Sequence, residues 1–158
     1  MARTRFLGKD KVKRRFLALP EKAREHIAAE FGQGATKVVN QMRRRAPYDP
    51  KNKSGHHLRD SITWTWGNQK IAYSQGGGPV RSGEIAIRIS AGNTFVRYAH
   101  IAEFGAAPHV VGGQFAGAMH PGQAAQPFFY VTWRAERRSF KARQKRALRR
   151  AIAASANA

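Results

Sequence analysis

Histidines beside carboxylates are the residues of this chain whose types and spacing could support metal chemistry. His56 and His57 precede Asp60, and His100 lies one helical turn before Glu103. Imidazole and carboxylate groups are ligands for zinc and related ions. Neither of these two sets of residues matches the spacing of a known two-histidine metalloenzyme, and no third or fourth ligand is evident in the sequence. We therefore expect no metal site.

Nucleophilic catalysis and phosphate-loop binding also lack their usual motifs. The chain has no cysteine, which excludes disulfides and thiolate metal sites. It also has no Gly-x-Ser-x-Gly motif, the usual setting of a serine nucleophile. The glycine run at 76–78 lacks the Gly-Lys-Ser/Thr ending of a phosphate-binding loop and predicts a turn. We expect neither a catalytic site nor a cofactor, which means that the chain is not an enzyme.

Positive charge is the strongest feature of the composition. The 158 residues include 29 Lys plus Arg against 9 Asp plus Glu, a formal net charge of +20. The stretches 1–24 and 134–150 carry nine basic side chains each. Such a surface favours nucleic acid, an acidic protein or an anionic membrane. The sequence shows no apolar run long enough to cross a membrane and no secretory signal, which predicts synthesis in the cytosol.

The order of the predicted elements indicates an α+β domain. A long helix begins at Pro20 and ends at Ala46, which precedes a proline. Gly32 and Gly34 lie inside it and allow a kink or a break into two helices. We expect one domain over residues 20–158, in which two long helices pack against an antiparallel β-sheet, with residues 1–19 as a basic N-terminal arm.

Alternating residues predict the strands of that sheet. Residues 61–66 alternate strictly, which puts Trp64 and Trp66 on one face as core residues. Residues 84–89 alternate again, with the isoleucines inward. Two further strand patterns lie at 71–74 and near Phe95.

The second long helix, predicted over residues 127–154, combines an intermittent apolar stripe with many cations. Lysine and arginine surfaces neutralise phosphates and release counterions, which gives DNA binding without sequence preference. The same charge could dock on an acidic partner, and the sequence does not decide which. The candidate contacts are Arg134, Arg137, Arg138, Lys141, Arg143, Lys145, Arg146, Arg149 and Arg150.

A long glycine-rich loop, residues 106–126, precedes that helix. A loop of this length without secondary structure is uncommon in a compact domain and is usually functional or disordered. Phe115 and Met119 are apolar and would gain nothing from facing solvent. We expect the segment to order against a neighbouring subunit or ring, so that deleting residues 112–122 spares folding but weakens assembly.

Three motifs in a fixed order carry a family resemblance. Leu58–Ile62 follows Ala46-Pro47 and Ser54-Gly55, Tyr98–Gly105 predicts a short helix closed by glycine, and Gln126–Phe129 opens the last helix. Their order and spacing resemble the neck proteins of long-tailed phages, called tail-completion or head-tail joining proteins. The resemblance covers residues 17–152, although the 106–126 loop is longer than the connection usual in that family.

The resemblance implies a structural virion protein at the head-tail junction, made in the host bacterial cytoplasm. It implies a ring, a hexamer to match the tail tube, through which double-stranded DNA passes. The implied partners are further copies of the chain and adjacent neck, connector or tail-tube proteins, with no membrane. The interface candidates are Glu103, Phe104, Gly105, Phe115, Met119, Pro127 and Phe128.

Other functions stay open at this point. A tail terminator that caps the tail tube belongs to the same class of protein. A non-specific nucleic-acid-binding protein would explain the charge directly and predicts tight, salt-dependent DNA binding by the monomer. A small basic nuclease would need His57 and Asp60 and would depend on metal. A neck protein instead predicts weak monomer binding and ring formation with partners.

Overall fold

The computed structural model describes residues 20–67 and 87–156 of the chain. In chain order the elements are α1 (Glu21–Arg45), β1 (Thr63–Trp66), β2 (Ile87–Ser90), α2 (Ala99–Phe104), β3 (His109–Val110), a 3-10 turn (Gly113–Phe115), β4 (Met119–His120) and α3 (Phe129–Ala156). The predicted α+β class with two long helices is confirmed. The predicted N-terminal arm over 1–19, the strand at 71–74 and the turn at 76–78 lie outside the described residues.

The first long helix, α1, is continuous over 25 residues. It ends at Ala46, whose backbone is extended because a proline follows. A Cβ added to Gly34 would lie 3.1 Å from the Phe140 ring, and one added to Gly32 would lie 3.2 Å from the Trp64 ring. The glycines therefore let two large side chains approach α1 closely. The alternative of a break into two helices is wrong, because packing outweighs the propensity cost of about 1 kcal/mol per glycine.

The two long helices run antiparallel along each other. Near the start of α1, the fully buried Ile27 packs with Ala151 near the end of α3. Near the end of α1, Met42 belongs to the same buried cluster as Phe128, which directly precedes α3. This pairing gives the domain its long axis and turns one side of α3 towards α1.

Within residues 20–67 and 87–156, two antiparallel strands form a sheet that packs against this helix pair. Trp64 in β1 pairs with Ile89 in β2, and Trp66 pairs with Ile87, so the expected inward isoleucines face the same side as the tryptophans. Trp64 and Ile89 pack on the main buried cluster, and Trp66 meets the Trp64 ring edge-on at 5.4 Å. The buried cluster itself comprises Val38, Val39, Met42, Ala46, Leu58, Ile62, Val96, Ala102 and Phe128.

The segment between α1 and β1 is fixed by bonds from its own motif residues. Leu58 and Ile62 are buried in the core, and Arg59 Nε donates to the Ala46 carbonyl at 2.9 Å, where α1 ends. Ser61 Oγ donates to the Leu58 carbonyl at 2.7 Å and accepts the Gly92 N–H at 3.0 Å. The first motif is therefore a junction that joins α1, β1 and the chain after β2.

The expected strand near Phe95 is wrong. Asn93 Oδ1 accepts the backbone N–H groups of Phe95 and Val96 at 2.9 and 2.8 Å, and the carbonyl of Val96 accepts the Asn93 N–H. Asparagine commonly forms such local side-chain turns, which replace the bonds of a strand. Gly92 precedes it at φ 101°, a backbone region that favours glycine.

None of the helices in the two described ranges is long and apolar enough to cross a membrane.

Candidate functional site

The carboxylate of Glu103 holds the N-terminus of α3. Its Oε2 accepts the backbone N–H groups of Phe128 and Phe129, each at 2.8 Å, and its Oε1 accepts that of Tyr130 at 2.9 Å. The first N–H groups of a helix have no partner inside the helix, and its dipole favours a negative charge there. Glu103 is 6 % exposed, so these bonds are shielded from water. We call this arrangement the Glu103 cap.

Backbone bonds next to the Glu103 cap bring the two ends of the 106–126 segment together. The Gln126 N–H donates to the Ala102 carbonyl at 2.8 Å. Ala106 and Gln123 exchange two N–H to carbonyl bonds of 2.9 Å. Gly105 closes α2 at φ 77°, and a Cβ there would lie 2.8 Å from the Gln123 carbonyl oxygen. A side chain at this position would therefore separate the two ends.

The expected loop is a β-hairpin, which we call the hairpin arm (residues 106–123). β3 pairs with β4 in antiparallel register, His109 opposite His120 and Val110 opposite Met119. The two histidine rings stack with centroids 5.0 Å apart. His120 Nδ1 accepts the Gly122 N–H at 3.0 Å. The expectation of a segment without secondary structure is corrected, because cross-strand pairs and positive-φ glycines form a hairpin here.

The outer part of the hairpin arm exposes large apolar side chains. Val110, Phe115 and Met119 are exposed by 61 %, 69 % and 68 %. Burying a side chain of this size stabilises a protein by about 1.5 to 3 kcal/mol, and none of these three gains that within its own subunit. Exposed apolar groups concentrated on one projecting element are typical of an interaction surface.

A second exposed apolar surface lies beside the Glu103 cap. Phe104 is 68 % exposed and Tyr130 is 49 % exposed, and their rings contact each other with centroids 5.8 Å apart. Tyr130 also meets Phe129, which packs on the core. We call Phe104 and Tyr130 the aromatic pair. The backbone of both residues is tied to the Glu103 cap, because Phe104 directly follows Glu103 and the Tyr130 N–H donates to the Glu103 carboxylate.

Most of the candidate cations of α3 lie away from α1. Arg134, Arg138, Lys141, Lys145 and Arg149 are exposed and recur every three or four residues, which aligns them on one side of the helix. We call these five residues the basic stripe. The acidic residue of this region, Glu136, lies on the other side, 3.7 Å from Lys37 of α1. Over its length of roughly 20 Å the stripe is a continuous positive surface.

The remaining candidate cations differ in their surroundings. Arg143 is held on the α1 side, where Nε lies 3.0 Å from a carboxylate oxygen of Glu30 and Nη2 donates to Gln33 at 2.8 Å. It is therefore a bond between the long helices, not a free cation. Arg137, Arg146 and Arg150 are exposed and lie outside the stripe.

Two of the predicted interface residues lie inside the subunit. Phe128 is fully buried and Glu103 nearly so, which makes them parts of the core and of the Glu103 cap and corrects their assignment to an intersubunit surface. Gly105 is half-buried and shapes the base of the arm. Phe104, Phe115, Met119 and Pro127 are exposed and stay available for contacts.

Sequence reasoning missed Tyr130 as part of an exposed surface. The signal that could have found it is the run Phe128-Phe129-Tyr130, since three successive aromatic residues at a helix start cannot all face one core. Sequence reasoning also missed the hydrogen bonds between the Glu103 carboxylate and the backbone N–H groups that follow Pro127. A buried carboxylate is complementary to the free N–H groups of a helix start, so the motif that contains Glu103 and the motif that contains Pro127 form one contact.

The histidines considered for metal binding are spread over different contacts. His56 stacks on Phe95 with centroids 4.2 Å apart, and His57 lies against Tyr48. Glu103, one turn after His100, is occupied by backbone donors. Within the two described ranges, no group of three or more potential ligands comes together.

Comparison with protein families gives one finding. The family model HK97-gp10_like, described as "Bacteriophage HK97-gp10, putative tail-component", matches residues 10–105. The match confirms the family resemblance inferred from the motifs. It ends at the glycine that closes α2, so the hairpin arm and α3 follow the matched residues. Neither curated proteins nor solved structures yielded a match.

Proposed function

The chain belongs to the HK97-gp10-like family of bacteriophage tail components, and from that premise we propose that it joins head to tail in the virion neck. In this role it is a structural protein without catalytic activity. Copies of the chain form a ring, a hexamer, between the head connector and the tail tube. DNA passes through the ring during packaging and ejection.

Family membership over residues 10–105 is the observation that carries this proposal. A tail component is part of the virion and meets other tail or neck proteins. The structure supports a rigid subunit for such an assembly, since buried side chains and hydrogen bonds between side chains and backbone join α1, β1, α2 and α3. A rigid subunit with a projecting element suits a ring in which contacts repeat from one copy to the next.

The basic stripe supports a second part of the proposal, that the ring contacts DNA. Five exposed cations along roughly 20 Å of helix can face several phosphates of a duplex. Such contacts carry no sequence preference, which suits a channel through which an entire genome moves. The stripe lies on the side of α3 opposite α1, so it is free to line the channel.

Mass measurement of the intact chain with purified phage tails tests the neck assignment. We expect complexes that contain multiple copies of the 17.6 kDa chain, six if the ring matches a sixfold tube. Electron microscopy of the complexes should show the added density at the head-proximal end of the tail. A chain that stays monomeric with tails and is missing from virions would contradict the proposal. A ring that forms on tubes but cannot join heads favours the tail terminator.

Removing charge from the basic stripe tests the DNA contact. We expect the triple variant Arg138→Gln, Lys141→Gln, Lys145→Gln to reduce the slope of log K against log salt by about 2 to 3, since each phosphate contact contributes about 0.9. The matched control replaces three exposed cations elsewhere, Arg44→Gln, Lys51→Gln and Lys53→Gln.

The control separates a localised contact from general attraction. Filter binding of duplex DNA by the assembled protein, over a series of salt concentrations, gives both slopes. Equal slopes for the two triple variants would contradict a role for the stripe. Tight binding by the isolated monomer would instead favour the non-specific nucleic-acid-binding protein, which the charge of +20 alone could explain.

A further inference from the structure

We propose that the hairpin arm of one subunit docks its apolar tip on the aromatic pair of a second copy of the same chain. This inference rests on the proposed function, because it names the surfaces through which a ring would close. It assigns Phe115 and Met119 to one side of the contact. Phe104 and Tyr130 form the other side.

The distribution of charge favours a second copy as the occupant. Residues 104–133 contain no Asp, Glu, Lys or Arg, although the chain as a whole carries 24% charged residues and a net charge of +20. Two such chains repel each other wherever their basic surfaces meet. The uncharged stretch is where copies can approach without that repulsion, and it contains both the arm and the aromatic pair.

The uncharged stretch also argues against other occupants of the arm. DNA or an acidic protein is typically recognised by Lys and Arg side chains, and the arm contains neither residue type. An apolar tip is instead complementary to another exposed apolar surface, where both sides lose contact with water. On this chain the exposure of Phe115 and Phe104 is nearly equal, 69 % and 68 %.

The aromatic pair is a better acceptor than two other exposed aromatic residues, Tyr48 and Phe95. Tyr48 already has the Arg59 guanidinium over its ring at 4.9 Å, and Phe95 is covered on one face by His56. The Tyr130 ring contacts the rings of Phe104 and Phe129, and the aromatic pair lies beside the Glu103 cap. A surface fixed in advance loses little conformational freedom when a partner docks.

The contact is heterologous, because tip and acceptor are different surfaces of the chain. Each subunit offers its tip to one neighbour and its aromatic pair to the other, so the contact repeats from copy to copy. Contacts of this kind close into a ring when the rotation per subunit divides a full turn. A self-complementary dimer through two tips would stop at two subunits.

Disulfide cross-linking tests the contact, and the absence of native cysteine removes background reactions. Phe115→Cys carrying a mass tag is mixed with untagged Tyr130→Cys and oxidised mildly, both alone at high concentration and on purified tails. The matched control replaces Tyr130→Cys by Tyr48→Cys, since Tyr48 is 51 % exposed and Tyr130 is 49 %. We expect the 115–130 product to exceed the 115–48 product at least tenfold.

The product pattern decides between the possible contacts. Dominant 115–115 product means a self-complementary dimer, and equal 115–130 and 115–48 products mean random collision, so either result overturns the inference. Rings on tails without 115–130 product overturn the inference and leave the proposed function intact. Formation of the 115–130 product by a protein that never binds tails supports the inference and contradicts the proposed function. A chain that never associates with itself contradicts both.

Discussion

The base and the tip of the hairpin arm, about ten residues apart in sequence, are held in opposite ways. At the base, Glu103 accepts three backbone N–H groups, and Gly105 and Gly122 leave no room for a side chain. At the tip, Gly112, Gly113 and Gly117 have nothing within 4 Å of an added Cβ. The same segment is therefore fixed at one end and open at the other.

This difference separates two kinds of sequence constraint within one stretch of chain. The base residues are required for folding of the subunit. Glu103 accepts buried backbone N–H groups, and a side chain at Gly105 or Gly122 would overlap neighbouring backbone atoms. At the tip, the side chains of Phe115 and Met119 are mostly exposed within the subunit, so their apolar character points to a partner. A change at the base should lower stability, whereas replacing the exposed apolar side chains of the tip should alter association alone. Three variants, two at the base and one at the tip, test this division.

Removing the Glu103 carboxylate should have the largest effect. Glu103→Ala leaves three backbone donors at the start of α3 without their acceptor, which we expect to cost about 3 kcal/mol. For a domain of this size that is a fall in Tm of about 6 to 12 °C. Thermal unfolding followed by circular dichroism measures it. Glu103→Gln keeps an acceptor oxygen and should lose about half as much.

The control for Glu103 is another carboxylate on a helix. Glu136 lies 3.7 Å from Lys37 at the surface, and exposed ion pairs contribute about 0 to 1 kcal/mol. Glu136→Ala should therefore shift Tm by less than about 4 °C. Equal losses for the two alanine variants would show that the Glu103 cap contributes no more than a surface pair.

Gly122→Ala should have the next largest effect. A Cβ at Gly122 would overlap the carbonyl oxygen of Ala106, and its φ of 83° disfavours any side chain. We expect a loss of about 2 kcal/mol as the Ala106–Gln123 bridge opens. Gly117→Ala is the matched control, with φ 91° but open space, and should cost about 1 kcal/mol. Hydrogen exchange of the Ala106 and Gln123 amides distinguishes an opened bridge from general destabilisation, and equal protection in both variants would contradict crowding at the base.

Much of the fold could be predicted from sequence, because its elements follow local rules. A proline after Ala46 ends α1, alternation defines β1, and glycine closes α2. The strand near Phe95 was wrong because a local turn at Asn93 replaces it, whereas the error in α1 occurred where a long-range contact decides the outcome. By helix propensity alone, Gly34 is an unfavourable residue inside α1, yet it is the position where Phe140 of the other long helix packs. Propensity carries no information about a side chain that arrives from 106 residues away.

The candidate site was predicted in part. The cations of α3 were identified, since charge and helical spacing are visible in sequence, but the Glu30 contact of Arg143 depends on the pairing of the long helices. The motifs around Glu103 and Phe128 were identified as important, yet assigned to the wrong kind of contact. Residue types show that a carboxylate and an aromatic ring are present, but burial depends on which segments meet.

Changing the tip should have the smallest effect on the subunit. Phe115→Ser with Met119→Ser replaces two side chains that are 69 % and 68 % exposed, so unfolding loses little buried apolar surface. We expect Tm to stay within about 2 °C of the parent chain. Self-association measured by sedimentation should weaken at least tenfold, since each residue would otherwise be buried by the partner. A fall in Tm comparable with that of Glu103→Ala would mean that the tip packs on its own subunit, and the division between base and tip would then fail.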